Sequence, residues 1–263
     1  MNSTKKASHG NDPSIAAIRD YWNEHIHDLE IARHPVGSAG FFQELADYRY
    51  EKLHYLPLRV DFTAYREREV LEVGCGVGID LARFARGGAR VTGIDLAETS
   101  IELARNHFRQ QNLTGTLRLG NGEALEFPAD TFDLVYAHGV VQYTADPRAM
   151  TAEIHRVLKP GGTAIVMVYN RRSWLNVLSK TLKVGIEHRD APVLRTYSRR
   201  EFKELLAPFG QTVIVPERFP VRSRLQKGTK AVLFNHVFVP LFNLIPRPLT
   251  RWSGWHLLAF AKK

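Results

Sequence analysis

Cysteine is almost absent from this 263-residue chain, and Cys75 stands alone. A single thiol excludes a disulfide framework and a four-thiolate zinc site, and it fits a reducing cytoplasm. Long apolar runs are missing too. No stretch reaches the roughly 20 apolar residues that a bilayer span requires. Met1 to Asn11 is polar, without the apolar centre of a signal peptide. Acidic residues are scarce in the last third: residues 171–263 hold 18 Lys and Arg against 5 Asp and Glu, whereas residues 1–170 hold 18 against 22. The net charge of +9 is therefore gathered in one part of the chain. A basic third suits nucleic acid, anionic lipid or an acidic small molecule, or is simply solvated. No RNA-binding module is recognisable. No metal site is expected either, because His25 and His27 lie two apart and diverge on a helix.

What is present is organised around Val70 to Asp80. Val70, Leu71 and Val73 form a buried strand, Gly74, Gly76 and Gly78 a turn, and Ile79 to Arg86 a helix with apolar residues at helical spacing. Glycine takes positive φ without a Cβ penalty and lets a ligand touch the backbone, and the helix start offers free N–H groups. The next strand, Arg90 to Asp95, ends on an acid placed to accept hydrogen bonds from a ribose. Together these strand ends point to a nucleoside. A nicotinamide dinucleotide is the obvious rival, but the glycines are spaced G-x-G-x-G rather than G-x-G-x-x-G. Glu72 also sits two residues before the first glycine, where a carboxylate suits an ammonium group and repels a diphosphate. S-adenosylmethionine carries an ammonium and a ribose and no phosphate.

Leu71 to Gly78, followed by Val91 to Asp95, resembles the class I S-adenosylmethionine-dependent methyltransferases. Gly120–Glu123 with Phe132–Val135, and Ile154–Thr163, match two further blocks of that family, so the resemblance covers roughly residues 68–170. It implies an α/β fold: a doubly wound, seven-stranded, mostly parallel Rossmann-like sheet whose antiparallel last strand slots between the fifth and sixth. It implies S-adenosylmethionine as cofactor, with Glu72, Gly74, Cys75, Gly76, Gly78, Asp95, Leu96, Asn121, Gly122, Glu123 and His138 as its contacts. The family has an acid where this chain has Asn121, whose carbonyl accepts the same bond from adenine without the charge. Glu123 either joins that contact or caps a short following helix. Cys75 reads as a backbone contact rather than a nucleophile.

His138, Gly139 and Val140 leave the carboxyl end of the fourth strand, beside the switch point where such sheets bind ligands. Two roles are open to His138: a cofactor contact, or a general base acting on the acceptor. Tyr143 on the same loop is a second catalytic candidate. The family's Asn- or Asp-Pro-Pro-Tyr signature of amide and base-N6 methylation is missing here. That favours a small-molecule or lipid acceptor, with RNA or a dinucleotide oxidoreductase reaction as alternatives.

The chain divides into a disordered tail over 1–11, a helical lid over 12–65, a cofactor-binding core over 66–170, and a C-terminal half over 171–263. Asp12 and Pro13 start the first helix, which carries an apolar face to Leu29. Its Tyr21 and Trp22 either cover the site or only pack. A second helix, Phe41 to Leu56, bears Phe42, Leu45, Tyr48, Tyr50, Leu53 and Tyr55, mainly as core. Arg171 and Arg172 after the fifth strand either hold an acidic acceptor or are solvated. The segment 219–253 is apolar, interrupted by Asn235, His236, Pro240 and Asn243, and flanked by Arg222, Arg224, Lys227, Lys230, Arg247, Arg251 and Trp252. It suits a cap over the acceptor pocket or a segment lying at a membrane surface.

Overall fold

A computed structural model of the protein describes residues 14–182, 186–222 and 228–263. The tail over 1–11, the Asp12–Pro13 helix start, Arg224 and Lys227 lie outside the described residues. In chain order the structure runs α1 (Ile15–Glu24), a 3-10 turn (Leu29–Ile31), α2 (Ala39–Lys52), α3 (Leu56–Arg59), β1 (Glu69–Val73), α4 (Ile79–Arg86), β2 (Arg90–Asp95), α5 (Glu98–Gln110), β3 (Thr116–Leu119), β4 (Phe132–His138), a 3-10 turn (Val141–Tyr143), α6 (Pro147–Val157) and β5 (Leu158–Tyr169). It continues with α7 (Trp174–Leu182), α8 (Arg199–Leu205), β6 (Gln211–Glu217), α9 (Thr229–Leu233), a π-helical turn (Phe234–Phe238), α10 (Val239–Leu244), α11 (Arg247–Thr250), a 3-10 turn (Arg251–Ser253) and β7 (His256–Lys262).

The seven strands form one sheet in the order β3-β2-β1-β4-β5-β7-β6. All neighbours are parallel except β7, which pairs antiparallel with both β5 and β6. This is the doubly wound arrangement and the slotted last strand that the sequence implies. Both faces are covered, so the central strands carry continuous apolar runs rather than alternation. Leu71, Val73, Val135 and Ala137 face one core with Ile154 and Phe202, and Val70, Leu134 and Tyr136 face the other with Leu81, Phe84 and Ile101. β7 is likewise buried on both sides from His256 to Ala259. A third, smaller core packs Phe41, Phe42 and Leu45 of α2 against Val77 and Ile79 beside the glycine turn.

Several expected boundaries move. Helix α1 stops at Glu24 rather than reaching Leu29. Ser14 caps it, accepting the Ala17 N–H at 3.1 Å; His25 is extended and Asp28 takes a left-handed φ of 59°. The reach of Asp28 to Lys52, at 2.6 and 2.8 Å, gives that conformation a compensating ion pair. The second helix breaks after Lys52 and restarts as α3, where Pro57 lacks the N–H that a continuous helix would use. The fifth strand begins at Leu158, because Leu158 already pairs with Phe132 before the register shifts.

Candidate active site

The carboxyl ends of β1, β2 and β4 open into a cavity lined by Glu72, Gly74, Cys75, Gly76, Asp95, Leu96, Gly122 and His138. Gly74 and Gly76 have φ of 67° and 51°. A Cβ on Gly74 would sit 2.4 Å from Val140 Cγ2, whereas one on Gly76 would meet nothing within 4 Å. The first glycine is thus required by packing, and the second by the turn's backbone beside open space. The turn is tied to β2: Cys75 N–H donates to Ile94 O and Gly76 N–H to Asp95 Oδ2, both at 2.9 Å. Ala97 N–H donates to the other Asp95 oxygen at 2.9 Å. Burial raises the Asp95 carboxyl while these N–H groups pull it back. Lone pairs of the oriented carboxylate remain for hydroxyl donors.

Glu72 is 5% exposed, and its Oε2 has no hydrogen-bond partner. Burial, with Asp80 nearby, pushes its carboxyl well above the usual range, and Arg49 opposes this. An orphaned buried carboxyl oxygen at a cavity wall is a strong recruiter for a cationic donor.

Asp80, in the first turn of α4, has its charge fully met. Arg49 Nε donates to Oδ1 at 2.8 Å and Arg49 Nη2 to Oδ2; Tyr50 and Tyr136 hydroxyls donate at 2.7 and 2.8 Å. The arginine holds the carboxyl far below its ordinary value despite burial. Arg49 Nη2 also lies 3.3 Å from His138 Nδ1. A guanidinium only donates, so Nδ1 accepts and the proton of a neutral His138 sits on Nε2, 2.8 Å from the Tyr55 hydroxyl. The same logic applies across that hydroxyl: Arg218 lies 3.2 Å from His256 Nε2, and His256 Nδ1 is 2.6 Å from Tyr55. Burial, then Arg49, lowers His138 to about 3. With both nitrogens already hydrogen-bonded within the protein, the His138 ring has no free lone pair with which to take a proton from an acceptor.

The cavity is also lined by His27, Asp28, Lys52, Glu187 and Arg218. His27 and His25 do not share a helix, so the spacing argument against a metal loses its premise. His27, Asp28 and Glu187 do place ligand atoms within 4.8 Å of one another. The two carboxylates are nevertheless already matched: Lys52 sits 2.6 Å from Asp28 and 3.6 Å from Glu187, and Arg218 sits 2.9 Å from Glu187. A hydrogen-bonded line leads away from His27. Its Nδ1 is 2.8 Å from His188 Nε2, His188 Nδ1 is 3.2 Å from the Tyr21 hydroxyl, and that hydroxyl donates to Asp190 at 3.0 Å. With the tyrosine proton committed to Asp190, neutral rings must each donate outward, which leaves His27 Nε2 without a proton. Burial lowers the His27 ring to about 4, against the pull of Asp28.

Other expected site residues stand elsewhere. A Cβ on Gly78 would meet Phe108 of α5 at 3.3 Å, and this glycine is not at the cavity wall. Asn121 spends its side-chain oxygen on the Glu123 N–H at 2.9 Å. Glu123 caps no helix: it accepts from Thr144 Oγ1 and from Ala145 N–H at 2.8 Å, fixing the loop after β4. Neither lines the cavity, whereas Gly120 and Gly122 do. Tyr143 lies in the wall, its hydroxyl donating to Tyr169 at 3.3 Å and its ring edge-on to Trp22 at 5.1 Å. Burial raises its phenol far above 10, so it stays neutral. Arg171 pairs with Glu201 at 3.0 Å, and neither it nor Arg172 reaches the cavity. Trp22 and Ile18 of α1 line the cavity, while Tyr21 lines an adjoining outer pocket with Trp174, Phe219 and Phe234. Of the 219–253 segment, the described residues Phe219, Val221, Arg222 and Phe234 reach that outer pocket and none reaches the inner cavity.

A methyltransferase-domain family model matches residues 71–166. The ubiquinone biosynthesis O-methyltransferase of Roseobacter denitrificans is 31% identical over 176 residues, spanning 60% of this chain and 69% of that protein. Its counterpart from Hahella chejuensis is 34% identical over 173 residues, 62% and 69% of the two chains. Among solved structures, a methyltransferase from Thermotoga maritima described as a possible histamine N-methyltransferase superposes with a TM-score of 0.60 at 18% identity, covering 94% of this chain and 99% of that one. Geranyl diphosphate C-methyltransferase from Streptomyces coelicolor, solved with Mg2+, geranyl diphosphate and S-adenosyl-L-homocysteine, gives 0.59 at 17% identity, covering 94% and 97%. At such identities the two structures speak for the fold alone.

Proposed function

Because the chain belongs to the class I S-adenosylmethionine-dependent methyltransferases, we propose that it methylates a hydroxyl group of an apolar, hydroxylated aromatic small molecule, with cofactor and acceptor meeting in the cavity above the glycine turn. S-adenosylmethionine supplies a methyl group already activated by its sulfonium. The chain's own residues need only hold, orient and shield the reactants and dispose of a proton.

The observation that carries the cofactor assignment is the unpartnered Glu72 oxygen beside the turn, one strand away from Asp95. Glu72 takes the ammonium, Asp95 the ribose hydroxyls, and the backbone at Gly74, Cys75 and Gly76 the adjoining atoms. Leu96 would flank the ribose, and the backbone at Gly120 and Gly122, which line the cavity where the Asn121 side chain does not, would flank the adenine. His138 is a positioning residue, whose neutral ring ties Arg49 and Asp80 to the β4 end of the cavity.

Three features support the acceptor assignment. The relatives' names specify O-methylation. Trp22, Tyr143 and Tyr169 give the cavity an aromatic wall. His27 offers an unprotonated nitrogen, with Asp28 and Glu187 at 3.6 and 3.8 Å to steady the charge it gains. The hydroxyl proton goes to His27 Nε2.

The test is transfer of labelled methyl from S-adenosylmethionine into a cell extract, separated into organic, aqueous, RNA and protein fractions, then into model phenols and their O-methyl ethers. Label in the organic fraction and in free phenols alone is the expected result. Label in RNA or protein, or in an amine analogue in preference to the phenol, overturns the reading.

A further inference from the structure

After Glu217 the chain contains no Asp or Glu to its end, while Arg218 to Lys263 holds nine Lys and Arg. Within that stretch the structure builds a helical run, residues 229–244, with two unlike faces. Ala231, Phe234, Phe238, Val239 and Phe242 turn inward, and Phe234 and Phe238 stack on Trp174 of α7 with ring centroids 6.0 Å apart in each case. The opposite stripe carries Val232, Leu233, Val237, Leu241 and Leu244, continued by Ile245, Leu249 and Trp252, each between 43% and 78% exposed. Exposed cations, Arg247 and Arg251, flank this stripe, and Arg247 lies over the Phe219 ring at 4.4 Å. No helix among the described residues is long and apolar enough to cross a membrane.

We propose that this face docks on the surface of an anionic lipid bilayer, with Leu241, Leu244, Leu249 and Trp252 in the interfacial layer and the arginines among the lipid headgroups. Large apolar side chains contiguous on one face mark an interaction surface. Cations at the rim of such a stripe, with a tryptophan, match the charge and polarity profile of an anionic leaflet. A second copy of the chain would oppose arginine to arginine across the same face. A nucleic acid would answer the charge but leave the leucines uncovered. Phe234, on the inward face of this helical run, also lines the outer pocket that shares Asp28, Lys52, Glu187 and Arg218 with the inner cavity. The docking itself does not depend on which acceptor is methylated.

The experiment is flotation of the full chain with phosphatidylcholine vesicles, with and without phosphatidylglycerol, at low and high salt. The wild type is expected to float with the anionic vesicles. L241S/L244S should lower partitioning by tenfold or more, on the order expected for two lost apolar side chains. R247Q/R251Q should lower it about 30-fold at low salt, roughly fivefold per charge, with the gap closing as salt rises. Both variants should retain cofactor binding and their thermal transition. Failure of the wild type to float, or flotation of L241S/L244S equal to wild type, overturns the proposal. So does a wild-type dimer that L241S/L244S converts to monomer, since the face would then belong to a second copy. Because no step reads methyl transfer, a wrong acceptor leaves this result untouched.

Discussion

Replacing Glu72 by Gln is the most informative single change in the cavity. In the free protein, burial and Asp80 hold the Glu72 carboxyl well above the normal carboxylate range, which favours its protonated form. Arrival of the cofactor's ammonium favours the carboxylate, so binding should expel a proton. The bond gained, to a charged group, contributes about 1.5–3 kcal/mol, which corresponds to roughly 10- to 150-fold in Kd. Calorimetry in buffers of differing ionisation enthalpy reads both quantities. The wild type should release protons on binding S-adenosylmethionine, and release should shrink as pH rises through the raised pKa. E72Q should release none and bind more weakly by the factor above. 5′-Methylthioadenosine lacks the amino-acid end and provides the control: E72Q should bind it as the wild type does. Equal loss for both ligands, or no dependence on buffer in the wild type, would refute the pairing of Glu72 with the ammonium. The linkage sign for folding agrees. A raised carboxyl favours the ligand-free fold at low pH, and that contribution is lost as pH climbs through the folded value.

Asp95→Ala should weaken S-adenosylmethionine and 5′-methylthioadenosine alike, by one to two orders of magnitude, about 1.5–3 kcal/mol, as titration calorimetry would show. His27→Gln should lower turnover on the order of 100-fold with cofactor affinity intact, whereas His138→Gln should change turnover only a few-fold and leave the pH–rate profile in place. The reverse ranking would restore His138 as the base. Asp80→Asn leaves the Arg49 charge without its partner in a site that is 1% exposed on the aspartate side. It should cost about 3–5 kcal/mol and lower Tm by roughly 6–20 °C by differential scanning calorimetry.

The sheet and the glycine turn were legible because their signals are local. Val70 to Asp80 writes a strand, a turn and a helix in eleven consecutive residues, and Asp95 closes the following strand. The acceptor side was not legible, because its partners are far apart in the chain: Asp28 and Lys52 are 24 residues apart, His27 and His188 161, and Tyr21 and Asp190 169. No periodicity brings such residues together; only the sheet order does. The His25–His27 argument failed because it assumed a helix through Leu29, while Asp28 adopts a left-handed conformation and pairs with Lys52. Asn121 and Glu123 were placed by analogy with an acid-bearing loop. Here each is consumed in shaping its own turn and the loop after β4.

Strands β6 and β7 are antiparallel neighbours, and Glu217 pairs directly with His256. Residues 218–255 therefore leave the sheet and return to it at one point, so the whole basic, leucine-studded excursion is a hairpin loop of unusual size. Such a loop can lengthen, shorten or be exchanged without altering the order of any strand. Its closure makes one steric demand: a Cβ on Gly254 would lie 2.5 Å from Glu217 O and 2.7 Å from Glu217 N. A chain of this architecture can change the surface it visits by changing one loop, provided the stem keeps that glycine, and the methyl-transfer half of the molecule remains as it was.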